Sequence, residues 1–395
     1  MEVVDVKDSK IAMKSVLYIT QKPHFPIVDG GTQAIDSFFN VLQKFQGIEI
    51  TYAPICTKKH PGNFTKLPKT IELVPLNIDT RIKFTHLFQA LRSPLNVLRY
   101  QDKGVEQTLT MLNQAKPFDV VFCDGFYALS ILPPTWYSQK KIIYRSHNLE
   151  YQHWELRANA ASFPNRQLFR LLAKKMQNYE TRLLNQVTAV LSISAYETQQ
   201  ISSINTNCQT FYPTITLQHS TPAATSNYSS IGFVGNFEWP TNKQAIDWFL
   251  ANVWDQVRSK NPTLHFEIAG KGSSGYSNEA KHIYGFEFIE DLNEFYARQQ
   301  LIVSPLPDGT GLNMKILDAI AHHKRIIASP ASVRSFNDIG PIAIAEDATA
   351  FIEQIHLGLS QNRQGSTNDE QVSLEWLNSF TGEQQYKQLE KLIYG

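Results

Sequence analysis

Two parallel-sheet α/β domains in tandem are the fold this sequence predicts, and three observations carry the prediction. The chain has 395 residues, more than the roughly 100–200 of a typical single domain. Short apolar, β-branched runs alternate with longer helical patterns along most of its length, as they do when strands are buried on both faces by covering helices. The alternation stops in a polar, proline-containing stretch and then restarts, which marks a linker between two such units.

Taken in order, VLYIT (16–20) has strand length and unbroken apolar character. In AIDSFFNVLQKF, which follows, Ile35, Phe38, Phe39, Leu42 and Phe45 fall at helical spacing. IEITYAPI, DVVFCDG, KIIYRSHN and VTAVLSIS continue the strand series and fill a first domain over residues 1–212. Residues 213–230 form the linker. A second domain over 231–375 repeats the pattern with IGFVGN, the helix KQAIDWFLANVWDQV, LHFEIAG, LIVSPLP, the helix NMKILDAIAHH and RIIASP. The final stretch, 376–395, is an amphipathic helical tail expected to cross back to the first domain.

Composition narrows the function. Hydrophobic residues make up 42% and charged residues 18%, too apolar for a disordered chain. Lys plus Arg number 37 against 36 Asp plus Glu, so the net charge of +1 offers no global attraction for nucleic acid. Cys56, Cys123 and Cys208 lie far apart, which excludes a disulfide framework and a clustered zinc site. No apolar run approaches the ~18 residues of a spanning helix, and the acidic start MEVVDVKD lacks a signal peptide's pattern. A cytoplasmic protein is expected. There is no HExxH, no Asp-x-Asp pair, no GxSxG elbow and no Walker loop, so neither a metal nor a resident cofactor is expected.

Several motifs carry chemistry. Gly30-Gly31 sits between the first strand and first helix, where it reads either as a plain turn or as a helix start whose free N–H groups face an anion. In DGTGLNMKILDA, Gly309, Thr310 and Gly311 precede a helix expected to start near Leu312, with Lys315 in its first turn. A cation there opposes the helix dipole unless an anion is bound. GKGSSG (270–275) matches the dinucleotide fingerprint, but no apolar helical stripe follows it, so a simple loop is the better reading. In RSHNLE, Arg145, His147, Asn148 and Glu150 gather at the end of a strand, where ligands lie in open α/β sheets. Residues 80–100 hold Arg81, Lys83, Arg92 and Arg99 among large apolar residues and no acid. They read either as a helical hairpin packed on the first domain or as a surface for an anionic lipid or acceptor.

Together these features resemble the retaining glycosyltransferases of family 4, which have the GT-B fold of two Rossmann-like domains facing a central cleft. The resemblance runs over nearly the whole chain. The Gly-Gly loop, the RSHNLE segment, Tyr179-Glu180 followed by VTAVLSISAYE, GFVGNFEWPTN, the strand ending AGKG, GFEFIEDLNEFYARQQLIVSPL and DGTGLNMKILDAIAHH occur in the family's order. The resemblance implies transfer of a sugar from a nucleotide-diphosphate donor to a glycan, lipid-linked or other acceptor, as in polysaccharide biosynthesis. His147 and Lys315 would be catalytic. Gly30, Gly31, Gly235, Gly309, Thr310, Gly311 and Lys315 would bind the donor diphosphate, and Gly270, Ile289 and Asp318 the nucleoside. Arg145, Asn148 and Glu150 would lie on the sugar or acceptor side, and residues 80–100 would give weak peripheral membrane association. Two departures stand out: Thr310 and Asp318 occupy the positions of the family's two glutamates, and Lys243 is the only basic residue near the start of the second domain. A non-catalytic scaffold on the same fold and a nucleotide-sugar epimerase are the alternative readings.

Overall fold

The computed structural model describes residues 13–27, 30–90, 93–214, 229–308, 312–322, 324–336, 342–360, 376, 380 and 382–395. They fall into two compact units. The first draws on Met1–Ile193, Thr198–Phe211 and Gln385–Gly395, and the second on Ser194–Glu197 and Tyr212–Gln384.

The first unit runs β1 (Lys14–Thr20), α1 (Gly30–Leu42), β2 (Ile48–Cys56), β3 (Glu72–Leu73), β4 (Leu76–Asn77), α2 (Phe84–Gln89), α3 (Leu95–Leu98) and α4 (Lys103–Ala115). It continues with β5 (Val120–Asp124), α5 (Phe126–Ser130), α6 (Trp136–Gln139), β6 (Lys141–Ser146), α7 (Glu150–Ala160), α8 (Asn165–Leu184), β7 (Ala189–Ser192), α9 (Ala195–Ser202) and β8 (Cys208–Thr210). Its strands pair in the order β3-β2-β1-β5-β6-β7-β8, with β4 beside β2, and the pairs are parallel. Helix α1 shows how the pattern makes the layer. Ile35, Phe38, Phe39 and Leu42 lie at i, i+3, i+4 and i+7 and are all buried, on the sheet face that carries Tyr18, Tyr52 and Phe122. Each such side chain contributes about 1.5–3 kcal/mol by leaving water. The last helix of the chain, Glu383–Tyr394, closes the same cluster with Leu389 and Ile393. Its Tyr386 stacks on Phe45 with ring centroids 4.0 Å apart.

The second unit runs β9 (Ser230–Val234), α10 (Pro240–Phe249), a π turn (Leu250–Trp254), α11 (Asp255–Lys260), β10 (His265–Ala269), β11 (Ile283–Phe286), α12 (Leu292–Arg298), β12 (Leu301–Ser304) and α13 (Met314–Ala321). It ends with β13 (Arg325–Ala328), α14 (Pro330–Val333), β14 (Ile342–Ile344) and α15 (Ala348–Ser360). The parallel order is β11-β10-β9-β12-β13-β14. The GKGSSG segment forms a turn and a 3-10 helix, Ser273–Tyr276, and no α-helix, in line with a loop rather than a dinucleotide fingerprint.

Both sheets change direction once. In the first, the chain moves from β1 to one side through β2 and returns to the other side at β5; in the second, the same happens at β9 and β12. Loops at such a switch point diverge above and below the sheet and leave a crevice beyond the strand C-termini, where ligands bind.

Candidate active site

In the first unit a buried carboxylate, absent from the sequence-based expectations, stands at the switch point. Asp124 ends β5, in register with Thr20 of β1 and Arg145 of β6, and is fully buried. Its backbone is fixed on both sides, because Gln21 N–H donates to its carbonyl at 2.9 Å and Gly125 N–H donates to the Arg145 carbonyl at 2.9 Å. Gly125 turns the chain with φ of +94°, and a Cβ there would lie 2.2 Å from the Gln21 side chain, so only glycine fits. Three donors converge on the carboxylate: Tyr18 OH, Arg145 Nη1 at 3.1 Å from both oxygens, and His147 Nε2. Burial alone would raise the Asp124 carboxyl, yet the Arg145 guanidinium and then the contacts with His147 and Tyr18 hold it at about 2. His147 is pushed the other way: burial, assisted by Arg145 and Lys22, lowers it below the usual imidazole value despite Asp124.

Arg145, expected on the sugar or acceptor side, is 1% exposed and lies 5.0 Å over the Phe38 ring. Its guanidinium packs beneath α1 and compensates the buried Asp124 carboxylate. Asn148 and Glu150 are half-buried. Asn148 Nδ2 lies 3.2 Å from Glu150 Oε1 and 2.9 Å from His153 Nε2, and Tyr127 OH donates to Glu150 Oε2 at 3.3 Å. Burial raises the Glu150 carboxyl to about 7 in spite of these bonds. Glu180, of the Tyr179-Glu180 pair, is 1% exposed. It accepts the N–H groups of Glu150 and Tyr151 at 3.0 and 3.3 Å, capping the N-terminus of α7 with a negative charge. Gly30 and Gly31 open α1 just beyond β1.

In the second unit, Lys315 lies in the first turn of α13, the helix that follows β12 at the switch point. The helix starts at Met314 rather than near Leu312. The Lys315 ammonium donates to Asn242 Oδ1 at 2.8 Å and sits 4.3 Å from the Phe233 ring centroid, and burial lowers it to about 7. Asn242 is itself aimed by a bond from its Nδ2 to the Asn236 carbonyl at 2.8 Å. Lys243, the nearest basic candidate in sequence, is instead exposed and paired with Asp247 at 2.7 Å. Gly235 follows β9 and Gly270 follows β10, and their backbones pack so closely that a Cβ on Gly270 (φ +121°) would lie 2.2 Å from the Gly235 carbonyl oxygen. Ile289 packs at the edge of the core cluster that holds α13. Asp318 is half-buried, one turn beyond Lys315, and its charge helps raise the buried Tyr296 hydroxyl. Gly309, Thr310 and Gly311 lie outside the described residues. Among the described residues no group of three or more His, Cys, Asp or Glu side chains is arranged to hold a metal ion.

The segment at 80–100 divides. Val97 and Leu98 of α3 are buried, whereas Ile82, Phe84 and Phe88 are 56, 75 and 67% exposed. Only part of the segment therefore packs as a hairpin. Helix α8 adds exposed Leu168 and Leu171, with Phe163 just before it, and is tied to the end of α2 by Lys175 Nζ donating to the Ala90 carbonyl. Among the described residues no helix is long and apolar enough to cross a membrane.

Residues 228–361 match the family model Glycosyl transferases group 1. The match lies within the second unit, from just before β9 to the end of α15. The chain is also 24% identical over 267 residues to an uncharacterized 44.6 kDa protein in the cps region of Klebsiella pneumoniae, covering 63% of this chain and 67% of that protein. Among solved structures it resembles Anabaena HepE in complex with UDP, at 11% identity and a TM-score of 0.63 over 95% of this chain and 98% of that one. It also resembles WaaG, a glycosyltransferase involved in lipopolysaccharide biosynthesis, at 13% identity and a TM-score of 0.60 over 96 and 100% of the two chains. At these identities the likeness is one of fold: two parallel-sheet α/β domains of the GT-B type.

Proposed function

We propose that this chain is a retaining, metal-independent glycosyltransferase that moves a sugar from a nucleoside-diphosphate donor to a glycan or lipid-linked acceptor in the cytoplasm, without a resident cofactor. The observation that carries the reading is Lys315, held over Phe233 in the first turn of a helix at the sheet's switch point. Cleavage of a sugar–phosphate bond builds negative charge on the leaving diphosphate, and a cation already in place stabilises that charge without reorganisation. Gly30, Gly31, Gly235 and the segment at 309–311 are assigned to the donor diphosphate by the family resemblance alone. Gly270, Ile289 and Asp318 take the nucleoside, and His147, Asn148 and Glu150 the sugar and the acceptor. The UDP bound in HepE supports UDP-sugars as the first donors to try.

Incubation with a panel of nucleotide sugars, assayed for free nucleoside diphosphate, tests the reading. Slow release without acceptor is expected. Isomerised sugar would favour an epimerase, and binding without turnover a scaffold, the reading favoured by Thr310 in place of a carboxylate. Loss of activity to a chelator, restored by Mg²⁺ or Mn²⁺, would overturn metal independence.

Donor affinity is expected to depend on pH with a definite sign. Free Lys315 titrates near 7, and an adjacent diphosphate favours its protonated form. Above pH 7 binding must therefore take up a proton, so affinity weakens as pH rises, by up to about tenfold per unit. Titration with UDP-glucose between pH 6 and 8.5 checks this; a flat profile in the wild type would detach Lys315 from the phosphates.

Weak attachment to anionic membranes belongs to the same proposal. Ile82, Phe84, Phe88, Leu168 and Leu171 are exposed beside exposed Lys83, Arg166, Arg170 and Lys174, and each basic group near an anionic surface contributes about 1 kcal/mol. Sedimentation with phosphatidylglycerol vesicles at low salt, lost at high salt and absent with phosphatidylcholine, is the expected result. Equal failure with both vesicle types would leave the acceptor in solution.

A further inference from the structure

We infer that Asp124 is a positioning residue that locks His147 in its neutral Nε2–H tautomer and leaves Nδ1 as a hydrogen-bond acceptor for a hydroxyl of the bound sugar. The tautomer follows from the partners. Asp124 is fully buried among Tyr18, Arg145 and His147, and an ionised carboxylate there can only accept. His147 Nε2 faces Asp124 Oδ1 within hydrogen-bond distance and lies 3.3 Å from Arg145 Nη1, itself bound to both Asp124 oxygens; the closer carboxylate decides, because an unprotonated Nε2 would set two lone pairs against each other. Nε2 must carry the proton.

A second proton on the ring is opposed. The ring is 8% exposed, and the charged groups acting on it are Asp124, already shared with Arg145 Nη1 at 3.1 Å, and the cations Arg145 and Lys22. Burial and the two cations outweigh the one carboxylate. The imidazole is thus neutral around pH 7. Its Nδ1 has no hydrogen-bond partner among the described residues and is not a sealed-in orphan atom. A neutral ring with Nε2–H bound inward presents a lone pair, not a proton, to the crevice beyond β6.

The consequence fixes how His147 would meet the sugar. A ring that can only accept does not stabilise negative charge on a departing phosphate; it orients a donor, and sugar hydroxyls are the donors a nucleotide-sugar site offers. This second half rests on the glycosyltransferase reading above, while the tautomer does not.

The full-length protein labelled with ¹⁵N in its histidine rings tests the first half by long-range proton–nitrogen spectra between pH 6 and 8, with His147 assigned by comparison with His147→Asn. The expected pattern is neutral Nε2–H throughout. An Nδ1–H tautomer or an imidazolium at pH 7 overturns the assignment. Folded Asp124→Asn should lose the single pattern, and the wild-type spectrum decides the matter should that variant not fold. The second half is read from donor turnover. Asn can place its amide oxygen where Nδ1 lies, and Gln reaches instead to the Nε2 position. His147→Asn should therefore retain about tenfold more activity than His147→Gln, the value of one neutral hydrogen bond. Gln equal to or better than Asn overturns the acceptor role. A wild type that shows the Nε2–H form but turns over no nucleotide sugar upholds Asp124 as positioning residue and overturns the glycosyl-transfer reading instead.

Discussion

Replacing Lys315 by Ala is expected to lower turnover of the nucleotide sugar by about 10²–10³, the usual loss when one preorganised charge-stabilising donor is removed. The fold should survive. The side chain donates a bond to Asn242 and sits over Phe233, but it also bears the cost of burying a cation, and its removal relieves that cost as it forfeits the contacts. Lys315→Met keeps the hydrocarbon stem without the charge and should be as inactive as the alanine variant. Turnover and melting temperature measured on the same preparations separate the effects. Activity within a few-fold of wild type would remove Lys315 from the chemistry, and a collapsed melting temperature would make the residue structural.

Asp124→Ala is expected to cost about 3–5 kcal/mol of stability, the range found when one partner of a buried ion pair is removed. The alanine leaves Arg145, 1% exposed, with no anion beside it, and its Nε and Nη2 already lack partners among the described residues. Tyr18→Phe removes only one bond to the carboxylate and should cost less, about 1.5–3 kcal/mol. Urea unfolding reads the difference as a midpoint lowered by about 1–2 M for Asp124→Ala. A midpoint equal to that of wild type would mean that the network adds nothing to the folded state.

The sheets, their parallel sense and the covering helices were legible because continuous apolar runs separated by helical periodicity have few other solutions. Val120–Asp124 and Lys141–Ser146 are fully or almost fully buried strands, as their sequences indicate. The side-chain partnerships were not legible. One Asp at the end of an apolar strand is an ordinary strand terminus until the register sets it beside Thr20 and Arg145. Arg145 read as a rim group because arginine is seldom buried unless paired, and its partner lies on another strand. Asn242 went unnoticed beside Lys243 for a related reason: a cation attracts attention in sequence, and only the rotation of α10 decides that the neutral neighbour reaches Lys315 while the lysine turns to Asp247. In residues 80–100 the periodicity was visible, but which of its apolar residues find a partner depends on where α8 lies.

The helix Glu383–Tyr394 has a consequence for the order of events during synthesis. It completes the cluster around Phe38, Phe45 and Phe211, yet the ribosome delivers it only after everything between Phe211 and Gln385 has been made. At about 5–20 residues per second, the earlier part of the first unit waits roughly 10–35 s with the Phe45 ring uncovered. During that interval the second unit, whose chain is nearly contiguous, can finish folding first. Assembly thus runs against the direction of translation, and a nascent chain stalled before Glu383 would leave the first unit's core unfinished.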